Sequence, residues 1–318
     1  MASLPRLAAA AGLATMLAVC GQSVDPAPCG AACDPGPELP PRAPISLFQY
    51  DRNAPLDFRQ TPMTSPAAGV RVYAVSYLSP AGGRATGWLG VPEAAGPHAG
   101  IVLMHGLPGT AEGALSGQGL DLVAAGAVVL AVDAPWARRG ELPDLTPRDS
   151  ADQVQLMWDL QRAVDGLLAR SDVDGQRLAY VGGSYGGAMG GLFVAIERRL
   201  AAAVLFVPDG GLVSHFTTQG GAPEGPLATL GAAERNRWIE AMWTIEPIRF
   251  VGESSPTPLL IQNGTQDALV TTDDAQALQA AAGEPKTIRW YDAGHGLTPT
   301  ARADRVAWLT ERLSLRQP

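Results

Sequence analysis

Residues 178 to 188 read Leu178-Ala179-Tyr180-Val181-Gly182-Gly183-Ser184-Tyr185-Gly186-Gly187-Ala188, and this stretch decides how the rest of the chain is read. Its first four residues form a short run that is apolar on both faces, the pattern of a strand inside a covered parallel sheet. Glycines flank a serine directly after it, and Ala188 to Arg198 is compatible with a helix. A strand that turns sharply into a helix forces the turn residue into a strained conformation, and its neighbours must lack side chains for the turn to close. The serine is then presented beside a helix N-terminus, which favours developing negative charge. The plain alternative is a glycine-rich turn carrying an idle serine.

Working outward, the same kind of short apolar run recurs at Gly100 to Met104, Ala127 to Val132, Ala202 to Val207, Pro258 to Gln262 and Thr287 to Tyr291. Helical patterns fit between them. Ser150-x-x-Gln153 has the form of a capping box, ahead of Val154, Met157, Trp158, Val164, Leu167 and Leu168 on one side of a helix. Gly126 is placed to end a helix after Leu120 to Ala125, and Thr298-Pro299 to begin one. Before these, Val70 to Leu78 and Ala85 to Val91 flank the turn Pro80-Ala81-Gly82-Gly83 and read as a hairpin. The order predicts an α/β fold, a doubly wound and mostly parallel sheet with antiparallel N-terminal strands.

A serine hydroxyl becomes a useful nucleophile only when a base takes its proton and an acid holds that base in the right tautomer. The chain has four histidines. His98 and His105 come before the serine, and His215 falls in an irregular region. His295, in Tyr291-Asp292-Ala293-Gly294-His295-Gly296, directly follows the last strand, at the same sheet edge as Ser184, and is the predicted base. Asp267, in Gly264-Thr265-Gln266-Asp267 after the preceding strand, is the predicted acid. Asp209, one strand earlier, is its rival, and Asp292 reads as a turn residue. An oxyanion needs two preorganised N–H donors. The backbone of Tyr185 supplies one, and Leu107 in His105-Gly106-Leu107-Pro108-Gly109 supplies the other, because Pro108 has no N–H. His105 itself reads as a hydrogen bonder that braces this loop.

The loop at His105-Gly106, the elbow around Ser184, Asp267 and His295, in this order, resemble the α/β-hydrolase superfamily over about residues 70 to 315. Within it, the Ser-Tyr-Gly-Gly elbow, the long preceding helix and the Asp-Ala-Gly-His ending are similar to the dienelactone hydrolase-like and prolyl oligopeptidase-like branches, which include acetyl esterases. Dienelactone hydrolases carry cysteine where this chain has Ser184, and no β-propeller is read ahead of the domain. The resemblance therefore implies a serine esterase acting through an acyl-enzyme on a small-molecule ester. A serine peptidase is the second reading, and an inactive binding protein on the same scaffold the third.

Between Asp209 and Pro256 lies an insertion, about residues 210 to 255, that reads as a small cap. Its Trp238, Ile239, Met242 and Trp243 sit at helical spacing, either packed on one another or, with Phe216 and the Gly210-Gly211 and Gly220-Gly221 hinges, roofing an acyl pocket. Trp136, Arg138 and Arg139 either line the entrance or belong to a solvated loop. No residue cluster has zinc-ligand spacing and no phosphate-cradling or dinucleotide fingerprint appears, so neither metal nor cofactor is expected.

The chain has 318 residues, 46% hydrophobic and 17% charged, with a formal charge of −8. A mainly disordered chain would be poorer in apolar residues. The acidic balance, with arginines scattered along the chain, speaks against nucleic acid as partner. All three cysteines, Cys20, Cys29 and Cys33, lie at the N-terminal end. Leu7 to Val19 has the layout of a secretory signal, and Leu17-Ala18-Val19-Cys20 resembles a bacterial lipobox, although Val19 stands where a small residue is usual. The expected organisation is a signal peptide at 1–19, a Pro-rich tether at 20–66 and a catalytic domain at 67–318. Export is expected, with a lipid on Cys20 as the first reading and plain secretion as the second. In that compartment Cys29 and Cys33 either form a short-loop disulfide or stay free. Oligomeric state is not legible.

Overall fold

The computed structural model describes residues 37–217 and 223–315. Nine strands form one mixed sheet: β1 (Arg59–Met63), β2 (Val70–Leu78), β3 (Arg84–Pro92), β4 (His98–Met104), β5 (Ala127–Val132), β6 (Val173–Gly183), β7 (Ala202–Phe206), β8 (Leu259–Gly264) and β9 (Lys286–Tyr291). Their order across the sheet is β1-β2-β3-β5-β4-β6-β7-β8-β9. β1 to β3 are antiparallel to their neighbours, and every pair from β5 through β9 is parallel. This is the α/β-hydrolase fold, with helices on both faces.

The helices are α1 (Ala111–Ala114), α2 (Leu120–Ala124), α3 (Pro135–Arg138), α4 (Arg148–Leu168), α5 (Tyr185–Ile196), α6 (Leu212–Phe216), α7 (Ala232–Trp243), α8 (Thr272–Ala281) and α9 (Pro299–Leu313). Two separate apolar clusters, one on each face of the sheet, explain why β4 and β5 are buried along their whole length. On one face Val102, Leu130 and Tyr180 meet α4 and α5; on the other Ile101, Val129 and Val181 join Leu309 of α9. Alternate residues of a strand thus serve opposite cores.

Two local expectations are met in detail. The hairpin turn closes with Gly82 and Gly83 at positive φ, and Thr298 caps α9 by accepting from the N–H of Ala301. The capping box at Ser150 is not formed. α4 begins at Arg148, and Gln153 is buried, donating instead to the carbonyl of Ile245. Asp149 does the ordering, accepting from the N–H groups of Asp144 and Leu145 and from the indole of Trp238.

The tether expected over residues 20–66 does not hold for its described part. β1 pairs with β2, Phe48 is buried edge-on against Phe250, and Phe58 stacks on Tyr77. Prolines removed the periodicity that marks helix or strand, but single aromatic anchors need no periodicity to be buried. The signal segment, the cysteines and Gly220-Gly221 lie outside the described residues.

Candidate active site

Ser184 sits between the end of β6 and the start of α5 with φ 53° and ψ −122°, a region that L-residues rarely occupy. The surroundings hold it there. Its N–H donates to the carbonyl of Phe206 at 2.9 Å, and its own carbonyl accepts from Ala188. Beneath the turn, the buried Tyr180 hydroxyl donates to the carbonyl of Gly186 at 2.6 Å. A Cβ on Gly186 would lie 2.5 Å from the carbonyl oxygen of Met104, so only glycine lets the elbow press against the end of β4.

The partners arrive on neighbouring strand ends. The loops after β8 and β9 are tied by Gln266 N–H donating to Ala293 O at 2.9 Å and Thr265 N–H to Tyr291 O at 2.8 Å. Asp267 Oδ1 accepts from the N–H groups of Leu269 and Val270, and Oδ2 lies 2.8 Å from His295 Nδ1. The Asp267 side chain is 1% exposed. His295 Nε2 lies 2.9 Å from Ser184 Oγ. A carboxylate can only accept, so Nδ1 carries the proton and Nε2 is left as the acceptor for the serine hydroxyl.

Leu107 lines the cavity at Ser184, and a Cβ on Gly106 would touch Ser184 Cβ at 3.4 Å, which places this loop against the nucleophile position. Tyr185 is the first residue of α5, so its N–H has no acceptor within the helix. The structure therefore gathers Ser184, Asp267, His295, Tyr185 and Leu107 at one place. It does not bring in the rival acid: Asp209 is bonded to His215 Nδ1 at 2.8 Å and to the N–H of Gly211. His98 bonds the carbonyls of Gly126 and Ala94 at the opposite end of β4.

His105 braces two loops, as expected. Its Nδ1–H donates to Gly106 O at 2.7 Å and its Nε2 accepts from Ala134 N–H at 3.0 Å. Burial pushes its pKa below the ordinary histidine value, which keeps it neutral and suited to both roles.

The Ser184 cavity has a volume of about 400 Å³, with Leu107, Pro108, Phe206 and Val207 among its walls and no charged side chain in its lining. None of the described insertion residues forms part of it. Trp238 and Met242 are fully buried, and α6 and α7 pack on the core beside α4, with a separate apolar cavity of about 520 Å³ against Val213, Ile239, Trp243 and Ile248. Trp136, Arg138 and Arg139 do not line the entrance either. Trp136 is buried edge-on to His105 and Tyr185, Arg138 meets Asp159, and Arg139 clasps Asp152. Charge alone suggested a solvated loop; carboxylates on α4 draw the loop inward instead. Phe206 and Gln118 in the cavity wall escaped the sequence reading. Phe206 was findable as the last residue of the strand beside Ser184's own, whereas Gln118 carries no signal. Among the described residues, no group of three or more His, Cys, Asp or Glu could hold a metal ion.

Comparison with known proteins fits this geometry. The model of the prolyl oligopeptidase family matches residues 151–314, from α4 through the last helix. The chain is 30% identical over 149 residues, 45% of its length, to the uncharacterized peptidase YuxL of Bacillus subtilis (strain 168), and spans 22% of that protein. Among solved structures, it is similar to an acetyl xylan esterase from Paenibacillus sp. R4, with a TM-score of 0.68 and 20% identity, over 87% of this chain and 97% of that one. It is also similar to acetyl xylan esterase 1 from Thermoanaerobacterium sp. JW/SL YS485, with a TM-score of 0.70 and 17% identity, over 87% and 96%. At these identities the likeness is one of fold.

Proposed function

The chain belongs to the prolyl oligopeptidase family of serine hydrolases, and within it we propose that it hydrolyses carboxylic esters through an acyl-enzyme. The observation that carries this reading is the unbroken contact from Asp267 through His295 to Ser184 Oγ, at 2.8 and 2.9 Å, opening on a small uncharged cavity. Ser184 Oγ attacks the ester carbonyl as His295 Nε2 takes its proton. Asp267 stabilises the imidazolium that results, and the N–H groups of Tyr185 and Leu107 receive the oxyanion. His295 then returns the proton to the leaving alcohol, and a water activated by the same nitrogen releases the acid.

Two features favour an ester. The cavity offers room for a short acyl group between Leu107, Pro108 and Phe206, and the two acetyl xylan esterases share the fold across nearly their whole length. Cleavage of peptides is the second reading, favoured by the family and by the Bacillus relative's designation as a peptidase. Turnover of short-chain p-nitrophenyl esters by wild type and Ser184→Ala decides the first point, and equal rates would sink it. Matched anilides measure the second: amide turnover as fast as ester turnover would make the protein a peptidase. Failure of a fluorophosphonate to label Ser184 would instead favour a binding protein.

Residues 1–20 support a further part of the proposal, that the enzyme works outside the cytoplasm, anchored by a lipid on Cys20. A Cys20→Ser variant still found with the membrane would remove the anchor.

A further inference from the structure

The wall of the Ser184 cavity includes one long polar side chain besides the histidines, Gln118, carried on a π-turn over Leu115–Gly119. Its amide is not free to flip. Arg305 Nη1 donates to Gln118 Oε1 at 2.9 Å, and a guanidinium has no acceptor to offer, so the oxygen must face Arg305 and the NH₂ must face away. The same helix is clamped beside it, with Arg302 donating to the carbonyl of Gly117 at 2.6 Å and pairing with Asp121 at 3.1 Å.

Arg305 is itself unusual. It is 3% exposed, its Nε donates to Gln262 Oε1 at 3.0 Å, and its guanidinium lies 3.6 Å from the centre of the Phe206 ring, the ring that also walls the cavity. Among the described residues no carboxylate comes within ion-pair distance of it. Its contacts include an aromatic face and two amide oxygens, which accept two of its hydrogens without cancelling its charge. Burial draws its pKa down to about 9, which leaves it charged at neutral pH. A buried cation with no carboxylate in ion-pair contact among the described residues therefore stands behind a cavity whose own lining is uncharged. Phe206 and Gln118 stand between the two, and the Gln118 amide turns its N–H donors away from that cation.

We propose that Gln118 is a substrate-binding residue that, with Arg305 behind it, selects esters bearing a carboxylate. This rests on the ester reading above. The carboxylate accepts from Gln118 Nε2, and the charge of Arg305, relayed through the polarised amide, favours it over a neutral group of equal shape. Arg305 acts as a positioning residue, since Gln118 lies between it and the cavity.

The test is the ratio of kcat/KM for a carboxylate ester to that for its neutral amide isostere. Monoethyl succinate, glutarate and adipate are each compared with the corresponding ethyl amic ester, which places the carboxylate on the acyl side at three reaches. O-acetylglycolate against O-acetylglycolamide places it on the alcohol side. The expected result is a ratio of about tenfold or more in at least one pair for wild type. Gln118→Leu brings it to about one, and Gln118→Glu, which keeps the bond to Arg305 but presents an oxygen to the cavity, drives it below one. Ratios near one in every wild-type pair, or a ratio unmoved in Gln118→Leu, overturn the proposal. If no ester turns over, the ester reading fails on its own, and the same pairs are compared as protectants of Ser184 against fluorophosphonate. Stronger protection by the carboxylate member upholds the anion site, and equal protection overturns it.

Discussion

His105 Nε2 accepts the backbone N–H of Ala134 at 3.0 Å, which joins the loop after β4 to the loop after β5. Through Nδ1 the same ring holds the carbonyl of Gly106, the residue immediately before Leu107. The oxyanion donor assigned to Leu107 is thus aimed from two bonds away by the imidazole of His105. His105→Ala should lower kcat by about 10- to 100-fold with a smaller change in KM, because a donor out of place is missed most in the transition state. Steady-state kinetics on a p-nitrophenyl ester, with thermal unfolding to confirm the fold, check this. A loss confined to KM would assign His105 to substrate binding instead.

The two aspartate–histidine pairs separate cleanly by mutation. Asp267→Asn leaves His295 without a carboxylate to fix its tautomer, and kcat should fall by about 10⁴-fold. Asp209→Asn disturbs only His215 and the turn at Gly211, so kcat should stay within a few-fold of wild type. Comparable losses from both variants would mean that Asp209 reaches His295 during turnover.

Legibility of the fold tracked how local each cause was. The strand ends bearing Ser184, Asp267 and His295 were readable because a parallel sheet puts every strand's C-terminal end on one edge, so position in the chain implies position in space. The buried strand Tyr180, whose hydroxyl supports the elbow from below, has no such signal, since its partner is a carbonyl six residues on. Arg138 and Arg139 misled for the opposite reason. Their chemistry in isolation is that of a solvated loop, and only the arrival of Asp159 and Asp152 from α4 makes them inward-facing. The packing of residues 38–48 was unreadable because contacts such as Phe48 on Phe250 span some 200 positions of sequence.

Glu246 predicts a pH dependence of stability. It is fully buried, and only its Oε1 is bonded, accepting from the N–H of Ser214 at 2.8 Å, while Oε2 has no partner. Burial raises its pKa to about 8, from 4.5 in the unfolded chain. Because the folded state binds the proton more tightly, stability from this group is complete below about pH 4.5 and declines as pH rises through 8, by a few kcal/mol in all. Glu246→Gln removes the ionisable group while keeping the acceptor for Ser214. Between pH 5 and 9 its melting temperature should fall less than that of wild type, and parallel curves would show that Glu246 is charged in the folded protein throughout.

The contact between Arg138 and Asp159 should prove costly to break and cheap to remove. Nη2 of Arg138 lies 2.8 Å from Oδ2 of Asp159, whose side chain is completely buried, without the alignment of a hydrogen bond. Burial raises the pKa of Asp159, and the nearby guanidinium is the main force opposing that rise. Such a pair gains Coulomb energy only by offsetting the desolvation of both charges, so deleting one partner strands the other. Asp159→Asn should cost about 3 kcal/mol in urea unfolding, and the double variant Arg138→Met, Asp159→Leu should recover most of that loss. An additive double variant would show that the two charges do not stabilise one another, and that α3 is held against α4 by the packing of Trp136 and the clasp of Arg139 on Asp152.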